Sequence, residues 1–398
     1  MTLVYHIDMV NVLFLFRRVD CNDGIASYCE TLIRGLQKRG ARIIIASGIV
    51  NFSDTTRHRR DTLEKCSEEW LVIQSLTYRP NTFIVLRDIL SLMWRRKVDV
   101  IFNQGFSVLP LAKVLSMLTG KPIVTNYHGG YASHIGERGS LKEKFYYRTC
   151  ATMFQPERYI ALSTDTANFF QETCGIRDSK IEKFVLGIDT DIFRPPSSAE
   201  RQAARNKLKI PDDALVCILC ARVSIDKGHP LVIEAIRSLQ NSNKSFKGVC
   251  LFAGSVDETE GRAIFLSAQH SERDVGAFRF LGFLGKAELV QAFWASDVAL
   301  LPSKIEGFSL AIAEAMASGC VPIRTPSGGA SDQIIDRETG FIVPFDDSEA
   351  LAKRLLELTD VALRARMSAA AASHAHTYFR EETMIDNTIK LFREICRH

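Results

Sequence analysis

Short apolar runs punctuate the chain, and between them lie longer stretches in which apolar residues recur every three or four positions. In the first half the runs fall at residues 10–16, 41–46, 98–103, 123–127 and 159–162. Runs of that length bounded by polar turns predict buried strands, and the periodic stretches predict amphipathic helices. The first such helix is expected over residues 27–39, closed by Gly40. The second half repeats the rhythm, with strands expected at 216–221, 249–253, 279–281, 298–301, 321–323 and 341–343. Strand alternating with helix predicts an α/β chain built on parallel, doubly wound sheets.

The rhythm breaks at residues 186–196, which read LGIDTDIFRPP. Pro195 and Pro196 interrupt regular structure there, and a charged helical stretch follows. A length of 398 residues suits two cores. The expected division is a domain over 1–190, a second over 191–378, and a C-terminal segment over 379–398 that packs back on the first domain. Residues 54–65 (DTTRHRRDTLEK) read as a surface loop or exposed helix. The apolar run at 10–16 follows His6 and Asp8 and precedes no small-residue cleavage site, so it reads as a first strand rather than a signal sequence, with Met9 a candidate start. No apolar run approaches the ~18 residues that span a bilayer.

Composition adds little to this picture, whereas charge adds a direction. Hydrophobic content of 46% and charged content of 24% are those of a globular protein. The net charge of +4 is unevenly spread: residues 1–190 carry 25 Lys and Arg against 19 Asp and Glu, and residues 191–398 carry 25 against 27. The surplus in the first half suggests phospholipid headgroups or an anionic acceptor before nucleic acid, because no basic stretch is interleaved with aromatic residues. Residues 81–97 (NTFIVLRDILSLMWRRK) have an apolar face and a basic end suited to a membrane surface. A sheet-packing helix with cations in its last turn accounts for them slightly better. Cys217 and Cys220 lie inside one strand run, on opposite faces, so buried thiols of a cytosolic protein explain them better than a metal site or a disulfide.

Candidate chemistry concentrates in residues 298–319 (VALLPSKIEGFSLAIAEAMASG), read as strand, loop and a helix over 308–318 stopped by Gly319. A helix N-terminus at the carboxyl end of a parallel strand holds anions. The backbone of Gly307, Phe308, Ser309 and Leu310 is therefore a candidate phosphate cradle. Glu306 and Glu314 would stand about 12 Å apart along the helix, roughly the reach from a sugar past a diphosphate to a ribose. Glu314 is the only charge in 310–317; it suits ribose hydroxyls if buried, and solvent if not. Arg222 and Lys227-Gly228 follow another strand and offer a fork and a point charge to a diphosphate, with a solvated loop held by Asp226 as the plainer alternative. His128 precedes Gly129-Gly130 at a strand end, where an imidazole hydrogen-bonds a substrate hydroxyl or phosphate. Gly24, after the first strand, lets backbone approach a ligand or simply makes a turn. Asp189-Thr190-Asp191 has the look of a metal-binding D-x-D, but its place in the inter-domain segment favours linker geometry.

The run EGFSLAIAEAMASG, with Arg222 and Lys227-Gly228 upstream, Gly328-Gly329 downstream and Gly187-Ile188-Asp189 before Phe193-Arg194-Pro195, closely resembles the retaining glycosyltransferases of family 4. The resemblance implies the GT-B fold: two Rossmann-like domains facing across a cleft, with a C-terminal helix crossing back to the first. It implies that Glu306 binds donor-sugar hydroxyls, Glu314 the ribose, and Arg222 with Lys227 the diphosphate leaving group. By the same resemblance His128 sits beside the transferred sugar, Gly24 offers backbone to the phosphates, and the Leu284 backbone meets the base. The implied donor is a nucleoside diphosphate sugar and the implied acceptor a glycan, a lipid-linked sugar or a small molecule. No metal and no further cofactor are expected, and the expected location is the cytoplasm or the inner face of a membrane. A non-catalytic nucleotide-sugar-binding or scaffolding protein on the same fold is the alternative. A dinucleotide oxidoreductase is disfavoured, since no strand is followed by G-x-G-x-x-G.

Overall fold

The structure, a computed structural model, describes residues 9–17, 24–48, 57–72, 82–127, 139–243, 246–269 and 276–397. The chain divides into two compact units, Met1–Gly187 with Glu381–His398 and Ile188–Arg380.

The first unit is built on the parallel strands β1 (Asn11–Phe16), β2 (Arg42–Ser47), β3 (Glu69–Val72), β4 (Val100–Gln104), β5 (Ile123–Tyr127), β6 (Arg158–Ala161) and β7 (Ile181–Lys183). Their order across the sheet is β3-β2-β1-β4-β5-β6-β7. The interior strands are apolar without alternation because both faces are covered. Leu13, Leu15, Ile44 and Ile101 enter one core. On the other face Phe14 meets Phe102, which meets Phe392 of the helix Glu381–Cys396 at 5.4 Å between rings. That helix also lies on the helix Gly24–Lys38: a Cβ at Gly35 would stand 2.0 Å from Ile385, and Arg34 pairs with Glu381 at 3.1 Å.

One segment departs from the sequence pattern, and a second takes the sheet-packing form slightly favoured for it. The stretch expected to be a surface loop or exposed helix forms the helix Arg57–Cys66, with Leu63 buried and Arg59 only 4% exposed beside Glu30. One face of it is interior because the Arg59 charge finds a carboxylate there. The helix Thr82–Arg95 buries Val85, Ile89, Leu92 and Met93 in the sheet core, so its apolar face is spent on packing. Among the described residues no helix is long and apolar enough to cross a membrane.

The second unit contains β8 (Leu215–Cys220), β9 (Gly248–Ala253), β10 (Phe278–Gly282), β11 (Val298–Leu301), β12 (Val321–Arg324) and β13 (Phe341–Ile342), ordered β10-β9-β8-β11-β12-β13. The chain grows outward from β8 to β10 and then returns to lay β11 on the other side of β8. Cys217 and Cys220 pack into separate clusters on opposite faces of β8. The reversal leaves a crevice outside the carboxyl ends of β8 and β11, the place where open parallel sheets bind ligands. In the first unit the corresponding reversal lies between β1 and β4.

One buried carboxylate pins β11 to its neighbour. Asp297, just before the strand, accepts hydrogen bonds from Arg201 at 2.5 Å, Arg205 at 2.8 Å and the Val216 amide at 2.8 Å. Arg205 is 6% exposed, so removing its carboxylate strands a buried cation. Asp297→Ala is expected to cost about 3–5 kcal/mol of stability, read from urea unfolding. A loss below about 1 kcal/mol would show that the surrounding carbonyls suffice.

Candidate functional site

Two loops meet at the reversal point of the second unit. After β8 the chain passes through Arg222, Asp226, Lys227 and Gly228 into the helix His229–Ser242. Gly228 has φ +81°, and a Cβ there would lie 2.3 Å from the Pro302 carbonyl oxygen of the loop after β11. Only glycine allows that backbone conformation and that approach together. Ser303 Oγ and the Lys304 amide both donate to the Asp226 carbonyl, at 3.0 and 2.8 Å, and close the seam.

Across the seam Lys227 Nζ donates to Glu306 Oε1 at 2.5 Å and to the Ile305 carbonyl at 3.3 Å. The two side chains are 21% and 15% exposed, so this ion pair is sheltered but open to a ligand. Arg222 is different: it reaches Asp226 only at 3.7 Å and is 56% exposed. Such a surface pair is weakly held and leaves the guanidinium available to an anion.

The helix Leu310–Ala317 starts two residues later than the pattern predicts. Ser309 is extended and caps it, its side chain accepting from the Ile312 amide at 3.3 Å. Gly307, Phe308 and Ser309 therefore form the approach, and Leu310 and Ala311 supply the outermost first-turn amides. Behind the approach stands Gly328-Gly329: Gly329 has φ +72° and would place a Cβ 2.4 Å from the Gly307 carbonyl. Arg324 is fully buried and donates to the Ser327 and Gly328 carbonyls, at 3.0 and 2.9 Å, and to Gln333. Gln333 in turn donates to the Ser309 carbonyl at 2.7 Å, which ties the capping residue to the glycine turn.

Glu314 lies half-buried on the same helix, and no side chain among the described residues hydrogen-bonds its carboxylate. Burial pushes its pKa up to about 7, against the opposing pull of Lys286. Lys286 opens the helix Lys286–Ala295 immediately after Leu284-Gly285, and Leu284 is half-buried against the core. His229 is fully buried, with Nδ1 3.1 Å from the Ser224 carbonyl and its ring 5.0 Å from Phe252. Desolvation pushes its pKa down to about 4, so it is neutral at physiological pH.

Of the residues singled out in the sequence, Arg222, Lys227, Leu284, Glu306, Gly307, Phe308, Ser309, Leu310 and Glu314 all lie at the carboxyl edge of the second sheet. Gly24 belongs to the first unit, where it is the first residue of a helix that starts three residues earlier than expected. At the helix N-terminus its amide is what it can offer a ligand. His128 lies outside the described residues. Asp189 accepts from the Ile192 amide at 3.2 Å and shapes a linker turn. Among the described residues no group of three or more His, Cys, Asp and Glu side chains is placed to hold a metal. Sequence reasoning missed Lys286, Arg324 and Gln333; of these only Lys286 carried a signal, its position two residues beyond Leu284.

Residues 22–192 match the family model described as Glycosyltransferase Family 4, and residues 200–374 match that described as Glycosyl transferases group 1. A D-inositol 3-phosphate glycosyltransferase of Streptomyces avermitilis is 30% identical over 230 residues, covering 56% of this chain and 48% of that protein. The chain thus spans about half the length of such curated relatives. A GDP-mannose-dependent monoacylated alpha-(1-6)-phosphatidylinositol monomannoside mannosyltransferase of Corynebacterium glutamicum is 25% identical over 301 residues, 73% of this chain and 74% of that one. The crystal structure of Anabaena HepE in complex with UDP superposes with a TM-score of 0.81 over 97% of this chain and 100% of that chain, at 18% identity, which is a likeness of fold.

The position of Glu314 has a pH signature. Its carboxyl holds a proton more tightly in the folded chain, near 7, than at the ordinary value of 4.5. Its stabilising contribution is therefore complete below the ordinary value and is lost as pH rises through about 7. Glu314→Gln is expected to melt with the wild type at about pH 5 and at least ~2 °C above it at about pH 8. A melting difference that does not change with pH would contradict this placement.

Proposed function

Because the chain belongs to the family 4 glycosyltransferases and has the GT-B fold, we propose that it moves a sugar from a nucleoside diphosphate sugar to an acceptor hydroxyl with retention at the anomeric carbon. The observation that carries this reading is the Lys227–Glu306 pair at 2.5 Å, held over the reversal point of the sheet and beside a capped helix N-terminus. A cation and a carboxylate set side by side there match the two halves of the donor, phosphate and sugar.

In this proposal Lys227, Arg222 and the first-turn amides neutralise the diphosphate as the anomeric C–O bond breaks toward an oxocarbenium-like state. Glu306 accepts hydrogen bonds from donor-sugar hydroxyls, and a phosphate takes its place on Lys227. Glu314 binds the ribose; a carboxyl that titrates near 7 both donates to and accepts from hydroxyls. The Leu284 backbone meets the base. His128 and Gly24 contribute, in the same reading, to the transferred sugar and the phosphates. No carboxylate is assigned as a nucleophile, so attack comes from the face the leaving group departs, and the leaving phosphate takes the acceptor proton. The chemistry asks for no metal.

The fold likeness to a UDP complex makes UDP-sugars the first donors to try, and the relative whose name specifies GDP-mannose makes GDP-sugars the second. A glycan, a lipid-linked sugar or a small molecule would serve as acceptor. A thermal-shift panel of UDP-, GDP- and ADP-sugars identifies the donor, since a ligand of the folded state raises the melting temperature. With that donor, Lys227→Ala is expected to lower kcat about 100-fold or more while the free protein melts within about 2 °C of wild type. Unchanged turnover would remove Lys227 from the leaving-group site. Donor binding with no product from the wild type would favour a non-catalytic binder instead.

A further inference from the structure

The helix Leu141–Met153 of the first unit is fixed on one side and apolar on the other. Inward, Tyr147, Cys150 and Ala151 join the sheet core, and the Tyr147 ring meets Phe106 at 5.3 Å and Phe169 at 5.4 Å. A Ser140–Glu143 capping box fixes its start, with Glu143 accepting from the Ser140 amide at 2.8 Å. Outward, Leu141 is 87% exposed, Phe145 72%, Tyr146 53% and Met153 64%. A rigid helix that shows water four large apolar side chains marks a contact surface rather than a loosely placed segment.

Charge identifies the contact. Lys142, Lys144 and Arg148 flank the apolar residues around a shallow groove of about 670 Å³, with Glu172 on its far side. Neither Lys142 nor Arg148 forms an ion pair among the described residues, and the Glu143 carboxylate is engaged in the cap. A second exposed apolar residue, Trp94, offers a contrast. The cations beside it are spent, Arg95 on Glu69 at 3.0 Å and Arg96 on Glu69 at 2.7 Å. Aromatic and aliphatic side chains beside Lys142 and Arg148 match the headgroup layer of an anionic bilayer, which offers a wet, negative boundary over an apolar interior. The surplus of positive charge over residues 1–190, 25 against 19, acts in the same direction.

Topology places this face usefully. The helix connects β5 to β6, so its Leu141 end lies beside the carboxyl edge of the sheet, where such a domain binds its ligand. We propose that the outer face of the helix Leu141–Met153 seats the first domain on an anionic lipid surface, with Leu141, Phe145 and Tyr146 in the headgroup layer and Lys142 and Arg148 on lipid phosphates. The acceptor hydroxyl is then presented at that surface, a step that rests on the sugar-transfer reading; the seating itself does not.

Sedimentation of the full chain with vesicles separates the two. Binding to phosphatidylcholine vesicles containing about a third phosphatidylglycerol is expected to be at least ~10-fold tighter than to phosphatidylcholine alone, and to weaken with added salt. The double variant Lys142→Glu, Phe145→Ser is expected to lose about 10-fold or more of that affinity while keeping its melting temperature and its donor-induced thermal shift. Lys142→Glu alone should lose part of it. Equal binding to the two vesicle types, or wild-type binding by the double variant, overturns the proposal. Self-association of the chain blocked by the same substitutions, without lipid preference, overturns it in favour of a protein partner. Intact lipid binding with no sugar transfer would instead leave the seating standing and remove the transfer reading.

Discussion

Everything proposed for the second unit depends on one close approach, that of Gly228 to the carbonyl of Pro302. It brings together the loops that follow β8 and β11, strands adjacent in the sheet although about eighty residues apart in the chain. Without it Lys227 and Glu306 would be two charges on separate loops. A Cβ at 2.3 Å from a carbonyl oxygen is a contact no side chain tolerates, so the geometry requires glycine for steric as well as conformational reasons. The glycine turn after β12 repeats the device, with Gly328 and Gly329 laid against the backbone of Glu306 and Gly307. The crevice is thus walled by main chain, and its few side chains converge because the backbones cannot move apart.

The charges of the second unit follow two regimes. Asp297 and Arg324 are buried and densely hydrogen-bonded, one holding β11 to β8 and the other holding the glycine turn to the cap at Ser309. Both are structural, since removing their partners costs more than the pairs contribute. Glu314 and Arg222 are held far less tightly. A carboxyl pushed toward neutral pH by burial and a guanidinium loosely paired at 3.7 Å retain hydrogen-bonding capacity for a ligand, at some cost to the stability of the free chain.

Much of this was legible in the sequence, and the exceptions have physical causes. Interior strands such as β1, β5, β8 and β11 are covered on both faces and read as continuous apolar runs. The edge strands β3 and β7 carry Glu69, Glu182 and Lys183, so no such run marks them. The helix after β11 was placed correctly in kind and two residues early, because an apolar pattern shows the buried face while the start is set by the capping Ser309. Glu306 and Lys227 were each singled out as candidates, yet their pairing was not, because it depends on loop packing and not on spacing. Arg324 left no trace: at the end of an apolar strand it reads as the first surface residue, and only its bonds to Gln333 and the glycine turn explain its burial.

The claim that this crevice is a sugar-diphosphate site is tested most directly by a crystal structure of the chain soaked with UDP. Diphosphate oxygens are expected within about 3 Å of Lys227 Nζ and of the first-turn amides of the helix Leu310–Ala317, with ribose hydroxyls on the Glu314 carboxylate. UDP bound elsewhere on the chain, with no phosphate near Lys227, would contradict it.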